Sequence, residues 1–311
     1  MEEVVEGLPA ALPFGPEQAA TPLEVVVVHR DQPEACVRTV LALHRQGLPV
    51  HVTVVDNGSG AAGLSAVRAL ARRLPTVEVV ALGRNTGFGP AANVGLRRWL
   101  AQDEGEWVAV APHDALPEPG CLARILAAVA SRPDAGLVSG EFGRAYDSRP
   151  VVDRYIGGYV SPGRAGDGWE DADFPHGTLL LARRAALTDI GLFDERYFAY
   201  CEEADLGVRA RRAGWKVGII WGAVVKNHRS AESEIVRYLK LRNTLLLVRE
   251  HYGSYPATIR CTFALLTLAV RSFNERSSPR NALRRVEGQA ILDFIRGRFG
   301  PPPPSLLPVE T

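Results

Sequence analysis

The residues best suited to acid–base chemistry are two adjacent carboxylates, Glu202 and Glu203, which begin a segment whose pattern predicts a helix over 202–213. A carboxylate can take a proton from a reacting hydroxyl, but acidic residues also favour a first helical turn because they offset the helix dipole. The dipole lowers a carboxyl pKa, whereas an effective base needs a raised one. Catalysis by this pair therefore requires burial or the neighbouring charge. Asp205 and Arg209, four residues apart, are expected to form an ion pair that positions the segment.

Four other polar clusters each follow directly after a short apolar run that predicts a β-strand. They are His29-Arg30-Asp31, Asp56-Asn57-Gly58-Ser59, Arg84-Asn85 and His113-Asp114. Ligands of open α/β sheets bind outside the carboxyl ends of the strands. We therefore expect four loops to converge on one crevice.

The segments that must position these loops alternate between strands and helices. Predicted strands cover residues 24–28, 50–55, 77–82 and 107–111, and predicted helices cover residues 34–45, 64–74, 91–100 and 121–130. This alternation indicates βαβ units, and hence an α/β fold with a mostly parallel central sheet and helices on both faces. The continuous apolar run Val25-Val26-Val27-Val28 agrees, since strands of such a sheet are buried on both faces.

The chain changes character after Gly140. Residues 141–173 show little periodicity, which predicts a long functional loop or an irregular insertion. Further predicted strands follow at 177–183, 217–220 and 223–225, and predicted helices near 234–252, 257–273 and 281–298. We expect a flexible leader over 1–22, a domain over 23–252 with halves at 23–115 and 116–252, and a helical extension with a proline-rich tail over 253–311.

Composition narrows the partners and the compartment. With a formal net charge of +1, no global field attracts the chain to nucleic acid. The four cysteines are widely spaced, and the leader lacks the features of a signal peptide, so a cytoplasmic location is expected, either free or peripheral at the inner face of the membrane. The arginines between 260 and 285 alternate with apolar stretches; such helices can rest on a membrane, pack onto the domain or form a homodimer interface.

Taken in order along the chain, the motifs resemble those of the family 2 inverting glycosyltransferases of the GT-A fold, and within them the rhamnosyltransferase-like members. The likeness covers roughly residues 23–252. The motifs are Val54-Val55-Asp56-Asn57-Gly58-Ser59; Arg84-Asn85-Thr86-Gly87-Phe88-Gly89 with Asn93 and Gly95; Pro112-His113-Asp114; Gly191-Leu192-Phe193-Asp194-Glu195 with Phe198 and Tyr200; Glu202-Glu203-Ala204-Asp205-Leu206 with Arg209; Ala213-Gly214-Trp215; His228; and Arg242-Asn243. A GT-A-type, Rossmann-like fold and a nucleotide-sugar donor, dTDP- or UDP-linked, are what this resemblance implies.

The resemblance assigns Asp56 to nucleotide recognition, where its carboxylate accepts the ring N–H of a uracil or thymine; the alternative is a simple turn. Asp31 and His29 are expected to line the same pocket. Gly87 lets the backbone approach the donor and opens a helix whose N-terminus favours phosphate. Arg84 belongs to the same loop, and Asn85 and Asn93 either contact the nucleotide or tie this loop down.

By the same resemblance, His113-Asp114 lies where the family carries an Asp-x-Asp metal motif, with Pro112 at the first position. Asp114 and the downstream His228 are the expected ligands of Mn²⁺ or Mg²⁺, with His113 as a substitute; the alternative is an ordinary loop.

Glu203 stands at the position of the family's catalytic base, where aspartate is usual, and Glu202 is its rival. His176 is either a contact of the transferred sugar or a packed histidine. The expected function is transfer of a sugar, possible donors including dTDP-rhamnose, to a hydroxyl of a glycan, lipid-linked or small-molecule acceptor. The alternatives are a catalytically silent nucleotide-sugar-binding module and a nucleotidyltransferase.

Overall fold

A computed structural model describes residues 21–143, 148–162, 166–227, 233–274 and 281–306. Most of the expected leader and the expected metal ligand His228 lie outside these residues. The described chain is an α/β structure with one nine-stranded sheet, flanked by helices, and a group of helices at its C-terminal end.

The first half alternates strands and helices as expected. It comprises β1 (Leu23–His29), α1 (Pro33–His44), β2 (Val50–Asp56), α2 (Ala61–Arg73), β3 (Val77–Ala81), α3 (Phe88–Leu100) and β4 (Trp107–Pro112). The strands pair in parallel in the order β3-β2-β1-β4. Val25 and Val27 pack in the core that α1 and α2 cover, while Val26 and Val28 pack in the core that α3 covers. The apolar run of β1 is therefore buried on both faces.

The second half extends the sheet with strands of both directions. It comprises β5 (Leu116–Pro117), α4 (Cys121–Val129), β6 (Ala135–Glu141), β7 (Ser148–Asp153), β8 (Gly157–Pro162), β9 (Gly168–Asp171), β10 (Leu180–Arg183), α5 (Arg184–Ile190), α6 (Glu202–Arg212) and β11 (Lys216–Lys226). The order continues β4-β10-β6-β11-β5, with β9 also on β11. Strands β1 to β4, β6 and β11 run in one direction, and β5, β9 and β10 run in the other.

Two expectations for this half are wrong. The described residues of the segment 141–173 form regular strands, because β7 and β8 make an antiparallel hairpin and β9 pairs with β11. Its apolar runs are too short for a periodicity to show, and Gly and Pro interrupt them. The two short strands expected at 217–225 are one strand, β11, whose register shifts at a bulge next to Gly222. There φ is +83°, which favours glycine.

The C-terminal helices are α7 (Glu234–Tyr252), α8 (Ser254–Asn274) and α9 (Asn281–Ile295). One face of each meets in a common core that includes Leu245 of α7, Cys261 of α8 and Ile291 of α9. Helices α7 and α9 also enclose Phe198, which lies just before α6. The extension therefore packs onto the domain, one of the three roles that the sequence left open. No described helix combines the length and the apolar character needed to span a bilayer.

The contact between α3 and β1 is tight enough to require a glycine. A methyl group on Gly95 would lie 2.5 Å from Cγ1 of the buried Val26. We predict that Gly95→Ala lowers the free energy of unfolding by about 1–2 kcal/mol, because the overpacking penalty exceeds the gain in helix propensity. Denaturant unfolding measures it.

The matched control is Gly288→Ala in α9, where the added methyl group would lie 3.7 Å from Leu268. This change should be neutral or stabilise by up to about 1 kcal/mol. Equal stability of Gly95→Ala and wild type would mean that α3 and β1 do not approach so closely.

Candidate active site

The carboxyl ends of the four parallel strands meet at one edge of the sheet. In register, His29 of β1 lies beside Asp56 of β2, and Val28 lies beside Pro112 of β4. Asp56 in turn lies beside Ala81, the last residue of β3. The loops that follow these strands therefore share one crevice, as their positions in the sequence predict.

A buried histidine–aspartate pair forms the floor of this crevice. His29 Nδ1 lies 2.9 Å from Asp56 Oδ2, and the Ser59 backbone N–H donates to Asp56 Oδ1 at 3.1 Å. Burial raises the pKa of Asp56, but the hydrogen bonds from His29 and Ser59 outweigh it, so the pKa lies below its ordinary value. Asp56 is thus an anion whose oxygens each keep acceptor capacity for a ligand N–H.

Asp31 sits at the rim of the same crevice. Its backbone N–H donates to Ser59 Oγ at 2.9 Å, and its Oδ1 accepts from the Gly60 N–H at 2.8 Å. Its φ of 51° is left-handed, a conformation that aspartate tolerates better than most residues. The contacts join the loops after β1 and β2.

His113 connects this floor to Asp114. The His29 and His113 rings meet edge to face at 5.8 Å, and His29 Nε2 is buried without a hydrogen bond to the described residues. Burial lowers the pKa of His113, partly opposed by the charge of Asp114. The His113 carbonyl accepts from Thr39 Oγ1 at 2.7 Å, which fixes the loop after β4. Asp114 itself is partly exposed and makes no hydrogen bond or ion pair with the described residues.

The described residues contain no group of three histidine, cysteine or acidic side chains arranged to hold a metal ion. His228 lies outside the described range, and Pro112 has no ligating side chain. Asp114 remains as one unengaged carboxylate at the crevice. That set fits a hard cation of the Mg²⁺ type, which binds through one or two carboxylates and takes its other ligands from substrate phosphates and water.

Asn57, which was not among the expected site residues, fixes the loop before α3. Its Nδ2 donates to Asn85 Oδ1 and to the Gly87 carbonyl, both at 3.1 Å, and its Oδ1 accepts from the Thr86 N–H at 2.8 Å. Gly87 has φ of +98°, and a methyl group there would lie 2.4 Å from the Phe198 carbonyl oxygen. These contacts hold the loop against Phe198, whose carbonyl also accepts from the Gly89 N–H at the start of α3 at 3.4 Å.

Two other residues of this region differ in role. Arg84 is exposed beside the loop. Asn93 donates to the Phe193 carbonyl at 2.9 Å and accepts from the Phe193 N–H at 3.0 Å. The buried amide is therefore engaged with the backbone of a distant segment, and of its two expected roles the structure supports the structural one. The signal was its position inside α3, beyond the first turn.

The two carboxylates that begin α6 point to different neighbours. Glu202 is buried, and its Cβ and Cγ would each lie 3.7 Å from a methyl group on Gly89 of α3. The Glu203 carboxyl would lie 3.7 Å from a methyl group on Gly177, the residue after His176. Each glutamate has a buried Oε2 without a hydrogen bond to the described residues. Glu203 therefore faces the His176 side, and Glu202 faces α3.

Burial raises the pKa of both carboxyls. The pKa of Glu202 lies well above its ordinary value because of burial and then of repulsion by Glu203. Burial also raises the pKa of Glu203, although backbone N–H groups of the helix start and the charge of Lys240 favour its anion. The effect of burial on the two pKa values thus exceeds that of the helix N-terminus. A raised pKa is what an effective base in this pair requires.

A strained turn places these two residues. Phe198, Tyr200 and Cys201 all have positive φ, between 66° and 72°, although none is glycine. Asn243 of α7 holds the turn, since its Nδ2 lies 2.8 Å from the carbonyl oxygens of Tyr197, Ala199 and Tyr200. Such backbone costs about 1–3 kcal/mol per residue and persists only where the surroundings enforce it.

Arg242 supports Asn243 from the next position. It is fully buried, and it donates from Nε to Asn243 Oδ1 at 3.1 Å and from Nη2 to the Gly300 carbonyl at 2.9 Å. Neither residue was among the expected site residues, although Arg242-Asn243 was one of the motifs. Two adjacent polar residues, separated only by Thr244 from the apolar run Leu245–Val248, were the signal available.

Tyr200 joins the acid pair to the crevice. Burial raises the pKa of Tyr200, and the charges of Glu202, Glu203 and Asp114 raise it further, so all three carboxylates lie within electrostatic reach of its hydroxyl. His176 precedes Gly177, which the Glu203 carboxyl approaches, and is itself buried; its N–H donates to Ser139 Oγ at 2.8 Å, and its ring lies 4.3 Å from that of Phe142.

The expected ion pair within α6 is confirmed. Arg209 Nε donates to Asp205 Oδ2 at 2.8 Å, and its two terminal nitrogens donate to the carbonyls of Ile190 and Leu192. His251 Nε2 lies 2.8 Å from Asp205 Oδ1. Both carboxylate oxygens of Asp205 are therefore engaged in anchoring α6.

Solved structures define the class of fold. A mannosyltransferase from Pyrobaculum calidifontis in complex with GDP-Man and Mn²⁺ is 15% identical, with a TM-score of 0.57 over 95% of this chain and 93% of that one. GalNAc-T7 with UDP, GalNAc and Mn²⁺ is 13% identical, with a TM-score of 0.61 over 90% and 57%. TarS of S. aureus in complex with UDP-GlcNAc is 17% identical, with a TM-score of 0.54 over 89% and 81%. The fold is that of GT-A glycosyltransferases.

The family follows from the sequence comparison. The model of the family described as glycosyltransferase like family 2 matches residues 20–244, and the chain belongs to this family. A relative from Mycobacterium tuberculosis, N-acetylglucosaminyl-diphospho-decaprenol L-rhamnosyltransferase, is 32% identical and covers 78% of this chain and 90% of its own length. The chain is therefore a glycosyltransferase, which sets aside the nucleotidyltransferase alternative.

The raised pKa of Glu202 predicts a pH-dependent effect on stability. Below the pKa of the unfolded chain the carboxyl is protonated in both states; as pH rises, the unfolded chain loses its proton first, so the folded state loses relative stability. Glu202→Gln removes this effect and should raise the free energy of unfolding at pH 8, by about 1.4 kcal/mol for each unit of the shift, and change little at pH 4. Denaturant unfolding at both pH values measures it.

Glu195→Gln is the control of opposite sign. Hydrogen bonds from Arg97 and Asn93 lower the pKa of this half-exposed carboxyl, so the substitution should cost a little stability at pH 8 and nothing at low pH. A Glu202→Gln variant that is less stable than wild type at pH 8 would show that the buried carboxylate is satisfied in the folded state.

Proposed function

We propose that this glycosyltransferase transfers a sugar, L-rhamnose as the first choice, from a dTDP- or UDP-linked donor to a hydroxyl of a lipid-linked acceptor, with inversion and with help from a divalent cation. The observation that carries the proposal is the placement of Glu203: its Oε2 is buried without a hydrogen bond to the described residues, its carboxyl pKa is raised, and its charge acts on the same Tyr200 hydroxyl as that of Asp114. The choice of sugar and acceptor is supported by the M. tuberculosis relative, whose name gives both.

The first step is recognition of the nucleotide. Asp56 stays ionised because His29 and Ser59 stabilise its anion, and an anion at this depth accepts the ring N–H of a pyrimidine. Asp31 at the rim and the loop of Gly87 and Asn85 would flank the nucleoside and its phosphates. The N-terminus of α3 then favours the negative charge of the diphosphate.

The leaving diphosphate needs further positive charge. Asp114 would hold Mn²⁺ or Mg²⁺, completed by donor phosphate oxygens and by His228 or His113. When bound, the cation supplies charge that stabilises the leaving diphosphate. The protein contributes a carboxylate with no other partner among the described residues, on a loop that Thr39 fixes through the His113 carbonyl.

Glu203 then acts on the acceptor side. Its Oε2 takes the proton of the attacking hydroxyl as the new bond to the anomeric carbon forms and the bond to the diphosphate oxygen breaks. Attack from the side opposite the leaving group inverts the anomeric configuration. Because burial raises its pKa, Glu203 is a stronger base than an exposed glutamate, and His176 beside it would contact the transferred sugar.

Donor binding tests the nucleotide half of the proposal. In a panel of UDP-, dTDP- and GDP-sugars, a dTDP-sugar with Mn²⁺ at a hundred times its dissociation constant should raise the melting temperature by about 5 °C or more. Asp114→Asn should lose the part of this shift that depends on Mn²⁺, because the carboxylate ligand is gone.

The matched control is Asp103→Asn, the same change in an exposed loop at the amino end of β4. It should keep the full shift. If Asp114→Asn kept the Mn²⁺-dependent shift as well, the cation would have to be held elsewhere.

Turnover tests the catalytic half. Glu203→Gln should lower kcat for sugar transfer by about 10²–10⁴-fold and leave donor affinity nearly unchanged, because the amide keeps the shape of the side chain but cannot take a proton. Initial rates with a lipid-linked acceptor and calorimetric titration with the donor measure the two quantities.

Glu202→Gln is the matched comparison and should keep most of the rate. If Glu203→Gln turned over like wild type and Glu202→Gln did not, the base would be Glu202. Donor binding by the wild type without any transfer or donor hydrolysis would instead favour the catalytically silent binding module.

A further inference from the structure

Helix α8 exposes an apolar surface, which we call the α8 outer face: Tyr255, Phe263, Leu265, Leu266 and Val270. Phe263 is 61% exposed and Leu266 is 56% exposed. Scattered apolar residues on a surface are ordinary, but five large ones along a single helix form a contiguous patch. Such a patch marks a contact with another apolar phase.

The opposite side of the same helix is also apolar. Ala257, Cys261, Ala264 and Leu268 pack toward α7 and α9 in the common core. An ordinary surface helix carries charged residues on its outer face, whereas α8 carries one charged residue between Ser254 and Val270, Arg260. A helix that is apolar on both sides is suited to lie between the protein core and a lipid phase.

Arg260 lies at the flank of this surface, one turn before Phe263, without an acidic partner among the described residues. It is partly buried, its Nε has no hydrogen bond, and it forms no ion pair with the described residues. Burial also lowers the pKa of Arg260, because the partly buried cation loses some of its hydration. An unpaired, half-buried cation is stabilised by an anion that approaches from outside the described protein.

The surface continues onto α9. A cavity of about 380 Å³ lies between the two helices and is lined by Leu265, Phe294 and Ile295 among others. Ile295 is 63% exposed, and the next residue, Arg296, is exposed too. Apolar side chains with arginines beside them match the layered chemistry of a phospholipid surface, with acyl chains below anionic phosphates.

We propose that the α8 outer face binds an anionic phospholipid surface, with Phe263 and Leu266 entering the acyl layer and Arg260 pairing with a lipid phosphate. This inference deepens the proposed function, on which it rests, because a lipid-linked acceptor is reached at a membrane. A second copy of the chain fits less well. A two-fold contact would place Arg260 on a face that offers no carboxylate between Ser254 and Val270.

Vesicle sedimentation with the full chain tests the proposal. Wild type should bind vesicles of phosphatidylglycerol and phosphatidylcholine more tightly than vesicles of phosphatidylcholine alone. Phe263→Glu with Leu266→Glu should weaken binding to the anionic vesicles by about tenfold or more, since two charges would enter the apolar layer. Arg260→Gln should reduce the preference for anionic over neutral vesicles and leave the binding to neutral vesicles unchanged.

The matched control is Ala123→Glu with Ala127→Glu, which adds the same two charges to exposed positions of α4 and should bind like wild type. Phe263→Ser with Leu266→Ser adds no charge and should also weaken binding, so a folding defect of one variant is recognised from melting curves of both.

Three outcomes would overturn the proposal: a wild type that binds no vesicles, a double glutamate variant that binds like wild type, or a dimer in solution that the double glutamate variant converts to a monomer. Transfer to a water-soluble acceptor analogue is measured in parallel. This reaction needs no membrane. Transfer without vesicle binding would contradict only the surface proposal, whereas absence of transfer would contradict the proposed function.

Discussion

The arrangement of the catalytic cleft depends on the clamp that Asn243 places on the turn before α6. Three non-glycine residues of this turn have positive φ, and the turn alone would relax to a less costly backbone. One amide group facing three carbonyl oxygens, supported by the buried Arg242, makes the strained form the stable one. The start of α6 is thereby fixed, with Glu202 near α3 and Glu203 near Gly177.

The carboxylates Asp56 and Glu203 have different pKa values because their surroundings differ. Asp56 is buried too, yet hydrogen bonds from His29 and Ser59 outweigh burial and keep it anionic. Glu203 has no hydrogen bond at Oε2, so burial prevails and raises its pKa. Hydrogen bonding thus sets the two pKa values apart, which agrees with the roles we propose: recognition by a fixed anion for Asp56 and proton transfer for Glu203.

The sequence predicts the first half of this fold well, because each β-branched run of that half is bounded by polar loops and followed by a helical pattern. The convergence of the loops after β1, β2 and β4 follows from the same pattern. The hairpin of β7 and β8 was not predicted, since pairing within 148–162 depends on contacts with α6 and α7, including Gly158 against Ala204, that no local period reports. Likewise, the position of Asn93 beyond the first turn of α3 favours a structural role, but local sequence could not identify its partner Phe193, which is a hundred residues away.

The C-terminal extension supports the turn before α6 through contacts that are also distant in sequence. Asp293 of α9 accepts from the Tyr238 hydroxyl at 2.9 Å, and that hydroxyl accepts from Arg242 at 3.3 Å. The Gly300 carbonyl accepts from Arg242 as well. The family match ends at residue 244, so residues beyond it complete the support of the clamp on the catalytic turn. Helices α8 and α9 pack on α7, and α8 exposes its outer face on the other side. The geometry of the acid pair is therefore connected through these helices to the surface that we propose binds lipid.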